Sequence, residues 1–140
     1  MRQIPSGGEP DTEAAGAMLA GMLRPGDIVT FRGGMGAGKT VFTRGVARAL
    51  GFDAALVTSP TFALLNEYRG GRLALCHIDA FRLSHGVDLS ELGLYDYLDR
   101  GWAALIEWGE HLPDLVADFT VIMEHTGGDN RLIIIRGRGI

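Results

Sequence analysis

The stretch Gly33-Gly34-Met35-Gly36-Ala37-Gly38-Lys39-Thr40 limits what this chain can fold into more than any other. Before it, Asp27-Ile28-Val29-Thr30-Phe31 is rich in β-branched and aromatic residues and reads as a short buried strand. After it, Val41, Phe42, Val46, Ala47 and Leu50 recur at helical spacing from Lys39 to Leu50, and Gly51 stands where a helix stops. A glycine-rich turn between a strand and a helix, spaced G-x-x-x-x-G-K-[ST], is the phosphate-binding loop. Glycines let the backbone curl so that successive N–H groups point inward at phosphate oxygens. Lys39 adds a point charge for the β- and γ-phosphates, and the Thr40 hydroxyl is a ligand for Mg²⁺. The competing reading is a glycine-rich turn with an exposed lysine. The strand and helix on either side argue against it, and so does composition: among thirteen Lys and Arg residues, Lys39 is the sole lysine.

The rest of the chain reads as alternating elements around this loop. Residues 1–10 are polar with Gly and Pro, and are expected to be extended or loose. A helix is expected from Asp11 or Thr12, with Ala15, Met18, Leu19, Met22 and Leu23 on one face and Pro25-Gly26 as its stop. Ala54–Val57 reads as a second short strand leading into the proline-pinned turn Thr58-Ser59-Pro60-Thr61-Phe62. Extended runs at 62–69 and 72–78 flank Gly70-Gly71, a two-residue hairpin signal, so an antiparallel pair is expected inside the sheet. Residues 87–97 read as helix with a break at Gly93, and 103–108 as a buried strand. Gly109 to Leu112 reads as a short helical turn closed by Pro113. Runs at 119–124 and 132–135 flank Gly127-Gly128-Asp129-Asn130, a hairpin expected at the sheet edge. Arg131, Arg136 and Arg138 then read first as solvated edge charges, with contact to a partner or nucleotide as the second reading.

Two apolar runs stop at a carboxylate: one ends His77-Ile78-Asp79, the other Ile106-Glu107. Strand ends carry side chains to the rim where a phosphate-binding loop also opens, so both acids are candidates for nucleotide chemistry. One would join Thr40 in holding Mg²⁺, and the other would position or deprotonate an attacking water. A solvated strand end at Asp79 and a rim glutamate paired with an arginine at Glu107 are the plainer alternatives. Thr61 is a candidate sensor of the γ-phosphate. Arg44, Arg48 and Arg82 read as structural or exposed, with charge stabilisation as their second role. Trp108 reads as a packing anchor. Guanine recognition through an N-K-x-D motif needs a second lysine, so ATP is the favoured nucleotide, with other modes of base reading left open.

Totals exclude other classes. A net charge of −4 argues against a chain that grips nucleic acid by itself. The sole cysteine, Cys76, rules out an intrachain disulfide and reads as a buried thiol in an apolar run. No apolar run reaches membrane-spanning length, and the first residues lack the apolar core of a signal peptide. The expectation is a cytoplasmic protein with one domain over residues 1–140.

Taken in order, Thr12, the Gly33–Thr40 loop, Arg44-Gly45, Thr58-Ser59-Pro60-Thr61-Phe62, His77-Ile78-Asp79-Ala80-Phe81-Arg82-Leu83 and Glu107-Trp108 form a set. That set resembles the bacterial TsaE (YjeE) family, over nearly the whole chain. The resemblance implies a P-loop NTPase-like α/β fold: a three-layer sandwich on a mixed sheet with a parallel core and antiparallel strands. It implies an ATPase that works with the TsaD–TsaB complex, which transfers a threonylcarbamoyl group to adenosine 37 of tRNAs reading ANN codons. The cofactors implied are ATP and Mg²⁺, with tRNA reached only through the partners and no membrane involved. By position, Gly34, Met35, Gly36, Ala37, Gly38, Lys39, Thr40 and Val41 would hold the nucleotide, with Glu9 and Thr12 near the adenine. Thr40 and Glu107 would ligate the metal, and Asp79 would serve hydrolysis. Gly34-Met35 stands where the family commonly has Asp-Leu, and Phe81 where it often has Tyr. A small-molecule or nucleoside kinase and a non-hydrolysing nucleotide sensor are the rival readings; the short chain with no obvious lid insertion disfavours the kinase.

Overall fold

The structure is a computed structural model that describes residues 1–33, 38–60, 64–81, 89 and 92–140. Its centre is a seven-stranded sheet formed by β1 (Arg2–Ser6), β2 (Ile28–Arg32), β3 (Leu65–Tyr68), β4 (Leu75–Asp79), β5 (Ala103–Glu107), β6 (Phe119–Gly127) and β7 (Asn130–Gly137). The spatial order is β1-β7-β6-β2-β5-β4-β3. The four inner strands β6, β2, β5 and β4 run parallel, while β3, β7 and β1 join antiparallel. The expected mixed sheet with a parallel core is therefore present.

Helices α1 (Glu9–Ala20) and α2 (Gly38–Leu50) lie on one face of the sheet. Strand alternation directs Val29, Phe31, Leu75, Leu105 and Val121 toward them. On the other face, Ile28, Cys76, Ile78, Ala104 and Ile106 pack with Leu94 of the short helix α3 (Leu94–Asp99) and with Trp102. Cys76 is fully enclosed there, and burial pushes its thiol pKa up to about 12.

α1 and α2 approach so closely that side chains are excluded between them. A Cβ at Gly16 would lie 2.1 Å from the Phe42 carbonyl oxygen, and one at Gly45 would lie 2.0 Å from that of Glu13. Only glycine fits at either crossing point. The consequence is functional, because α2 carries Lys39 and Thr40 while α1 carries Glu9 and Thr12.

Several expectations need correction. The segment at residues 2–6 is a paired edge strand, with Pro5 at a position where the sheet loses nothing by its missing N–H. α1 starts at Glu9, earlier than the Asp11–Thr12 start. Pro10 suits the first turn, and the Asp11 carboxylate accepts a hydrogen bond from the Gly7 amide at 2.9 Å. It also ends at Ala20, so Met22 and Leu23 fall in the following turn. Ala54–Leu56 is a 3₁₀ turn capped by Asp53, whose carboxylate accepts from the Ala55 amide, and is not a strand. The loop between β3 and β4 runs from Arg69 to Ala74, because Tyr68 pairs with Leu75. The β3–β4 pairing is antiparallel as expected, but its turn is longer than two residues. α3 begins after Gly93; of the expected helix at 87–97, residues 87, 88, 90 and 91 lie outside the described residues.

The hairpin β6–β7 is interior, since β6 also pairs with β2 and β7 with β1. Arg138 is accordingly no edge charge. It donates to both Asp27 carboxylate oxygens at 2.9 and 2.7 Å and to the Met22 carbonyl at 3.1 Å. Burial acts to raise the Asp27 pKa, but the hydrogen bonds from Arg138 and the Arg24 amide outweigh it and leave the carboxyl below its ordinary 3.8. A carboxyl depressed by folding adds stability above its unfolded pKa, and that contribution disappears as pH falls through the folded value. Asp27→Asn is therefore expected to lower the melting temperature at pH 7, with the gap to the unaltered chain closing below about pH 4. Thermal melts across that range check it, and a gap independent of pH would remove the linkage.

Candidate functional site

The site is built where β2, β4 and β5 end beside the start of α2. β2 delivers the chain to Gly33, whose φ of 122° and 2.5 Å clearance to the Met123 carbonyl oxygen admit no side chain. Gly34, Met35, Gly36 and Ala37 lie outside the described residues, as does Thr61. Gly38, Lys39, Thr40 and Val41 form the first turn of α2, with Lys39 only 5 % exposed and Thr40 half-buried. A helix N-terminus directs unpaired amides and the positive end of its dipole outward, which suits an anion.

The two strand-end carboxylates stand on neighbouring strands. Asp79 and Glu107 are register partners on the parallel pair β4–β5, at 4 % and 9 % exposure. By alternation they share the sheet face covered by α1 and α2. Asp79 is held by the Phe81 amide, which donates to its Oδ1 at 3.0 Å. Among the described residues Glu107 has no arginine partner; its Oε2 lies 2.7 Å from Nε2 of the buried His77. Among the described residues there is no cluster of three or more His, Cys, Asp and Glu able to hold a metal ion by themselves. Two carboxylates and a threonine hydroxyl are instead hard oxygen donors, a set that fits Mg²⁺ retaining water and phosphate ligands.

Trp108 does more than anchor packing. Its φ of 63° is a left-handed conformation that a bulky residue adopts only where its surroundings impose it. Its indole packs against Phe81 and His111, with ring centroids at 5.3 and 5.7 Å, and lies under the Lys39 ammonium at 4.2 Å. The sole lysine is thus held by a cation–π contact at the mouth of the loop. Glu110, one turn on, accepts from the Gly33 amide at 3.3 Å.

A cavity of about 380 Å³ opens at the other end of the α2 N-terminus, lined by Gly8, Glu9, Thr12, Gly38, Val41, Asp129 and Arg131. Its volume is in the range of small-ligand sites. It gathers Glu9, Thr12, Gly38 and Val41 from two helices, four positions expected near the nucleotide. The Ser6 hydroxyl, 2.7 Å from the Thr12 hydroxyl, ties β1 to this wall. Sequence reading missed Asp129 and ranked a nucleotide contact at Arg131 second. Arg131 reads as an edge charge only until β1 pairs with β7, setting Ser6 opposite Arg131 and bringing the hairpin over Gly38.

The turn before Thr61 is anchored from β3. The Tyr68 hydroxyl accepts from the Thr58 amide and donates to the Thr58 carbonyl, both at 3.3 Å, and the Leu64 amide donates to the Pro60 carbonyl at 2.9 Å. Of the arginines, Arg48 forms an exposed pair with Glu13, consistent with a structural role; Arg82 lies outside the described residues. No helix among the described residues is long and apolar enough to cross a membrane.

Comparison with known proteins identifies the family. The chain matches the family described as "Threonylcarbamoyl adenosine biosynthesis protein TsaE" over residues 7–133. It is 34 % identical over 131 residues to the tRNA threonylcarbamoyladenosine biosynthesis protein TsaE of Bacillus subtilis, covering 92 % of this chain and 81 % of that one. The protein of the same name from Treponema pallidum is 37 % identical over 111 residues, covering 79 % and 81 %. The crystal structure of Bacillus subtilis YdiB superposes with a TM-score of 0.77 at 29 % identity, over 99 % of this chain and 86 % of that one. A family match across most of the chain, relatives above 30 % identity and a shared fold lead to one conclusion: this chain belongs to the TsaE family.

Proposed function

We propose that this chain is the ATP-hydrolysing component of the bacterial machinery that makes N6-threonylcarbamoyladenosine at position 37 of tRNA, acting with the TsaD–TsaB complex in the cytoplasm. The observation that carries the reading is the pairing of Asp79 with Glu107 at the ends of β4 and β5, on the sheet face that also bears α2 and the buried Lys39. Phosphoryl transfer needs placement and charge compensation more than covalent chemistry from the protein. Amides of the loop and of the α2 N-terminus hold the phosphates, and Lys39 reaches the β- and γ-oxygens. Thr40 and Glu107 would hold Mg²⁺, which would supply compensation of the phosphate charge. Asp79 orients a water for attack on the γ-phosphorus and takes its proton as the bond to the β-phosphate oxygen breaks. Thr61 senses the γ-phosphate. Glu9, Thr12 and Arg131 line the cavity that receives the adenine end. The net charge of −4 is compatible with a component that meets tRNA only through its partners.

The test is phosphate release from ATP by this chain with TsaD–TsaB and tRNA, with no added acceptor. Release that depends on this chain is the expected result. Phosphate recovered on a nucleoside would identify a kinase, and tight ATP binding without turnover would identify a sensor.

A further inference from the structure

His77 has no part in the scheme above, yet it is a polar side chain buried behind the site. It is 1 % exposed, at the centre of β4, opposite Leu105 of β5 and Asn66 of β3. A leucine would fill such a place without the cost of burying two ring nitrogens. Neither nitrogen has an aligned hydrogen-bond partner among the described residues, although Nε2 is 2.7 Å from Glu107 Oε2. The contact is at hydrogen-bond distance without hydrogen-bond alignment, and a rotation that aligns the two groups completes a charge-assisted bond.

Register explains why the two meet. Glu107 stands opposite Asp79, two residues beyond the Leu105 that faces His77. The glutamate nevertheless leans back along β4 to the imidazole. The Tyr68 ring packs beside the imidazole at 6.3 Å between centroids. A carboxylate with one oxygen tied to a buried imidazole keeps the other for a cation and loses the freedom to swing away from it.

We propose that His77 is a positioning residue that orients the Glu107 carboxylate toward the Mg²⁺ of the nucleotide complex. The proposal rests on the reading of Glu107 as a metal ligand. Carboxylates that bind metals are themselves held by hydrogen-bonding neighbours, and losing such a neighbour typically costs about 10–100-fold in metal affinity.

Calorimetric titration of ADP into the full chain, once with Mg²⁺ and once with EDTA, tests it. His77→Leu is expected to weaken ADP binding about tenfold or more with Mg²⁺ and to leave it unchanged in EDTA. His77→Gln, which keeps a donor, should recover most of the loss. Adding His77→Leu to Glu107→Ala should cost nothing further. Equal losses in both buffers, or a full additional loss on Glu107→Ala, would overturn the role. Should His77→Leu fail to fold, ¹⁵N-histidine spectra of the unaltered chain decide. A shift of His77 Nε2 when Mg²⁺ joins the ADP complex supports the proposal, and an unmoved resonance overturns it. Mg²⁺-independent ADP binding by the unaltered chain would bring down the metal reading itself. Mg²⁺-dependent binding with an indifferent His77→Leu would bring down the inference alone.

Discussion

Lys39→Ala is expected to reduce ATP turnover by about 10²–10³-fold, the scale on which a single preorganised charge stabilises a transition state. No other lysine exists to replace it. Its ammonium is held inside the site by the Trp108 ring and by burial, so solvent cannot supply an equivalent charge. An arginine at this position would be a poor substitute, because a planar fork cannot occupy the space of a compact ammonium. The fold should survive, since the change removes a buried charge and opens one wall of a solvent-facing mouth. Circular dichroism together with phosphate release by the reconstituted system checks both halves. Unchanged ATP affinity and turnover would show that the loop binds something other than a nucleotide triphosphate.

Gly45→Ala is expected to destabilise the chain by about 3 kcal/mol, at the upper end of ordinary overpacking costs. For a chain of this size that is a fall of ~10 °C in melting temperature. Alanine is the better helix former by about 1 kcal/mol, so an exposed glycine at this place would give the opposite sign. The sign reverses because the added methyl would sit 2.0 Å from the Glu13 carbonyl oxygen and 2.9 Å from the Glu13 Cα, backbone atoms that cannot rotate aside. The helices must separate, and the cavity formed by Glu9 and Thr12 of α1 with Gly38 and Val41 of α2 must widen with them. Weaker nucleotide binding should therefore accompany the lower melting temperature. A variant as stable as its parent would mean that the two helices do not cross where Gly16 and Gly45 place them.

Much of this was legible beforehand where chemistry and periodicity agreed. The β-branched run before Gly33 and the helical spacing after Lys39 are local signals, and β2 and α2 lie close to where they indicate. Apolar runs ending in Asp79 and Glu107 likewise mark β4 and β5. The errors fall where local signals were weak or partners were distant. Residues 2–6 carry no strand pattern of their own, and they become a strand because β7 offers an unpaired edge. Ala54–Val57 has apolar residues suited to a strand, but Asp53 caps it into a 3₁₀ turn.

The sequence by itself determined the chemistry available to this protein. One lysine in one glycine loop, a threonine after it and two acids at the ends of apolar runs are the groups on which the proposed nucleotide and metal chemistry rests. Tertiary structure alone decided which groups stand together. Parallel register sets Asp79 beside Glu107, and the β4–β5 pairing tucks His77 behind that glutamate. β1 closes over β7 and turns Arg131 from an edge charge into a cavity wall. Asp27 and Arg138 meet across 111 residues of chain. Such pairings follow from sheet order, which no local pattern encodes. Spacing along a chain specifies faces and ends of elements, whereas neighbours across a sheet are chosen by burial of the whole apolar surface at once.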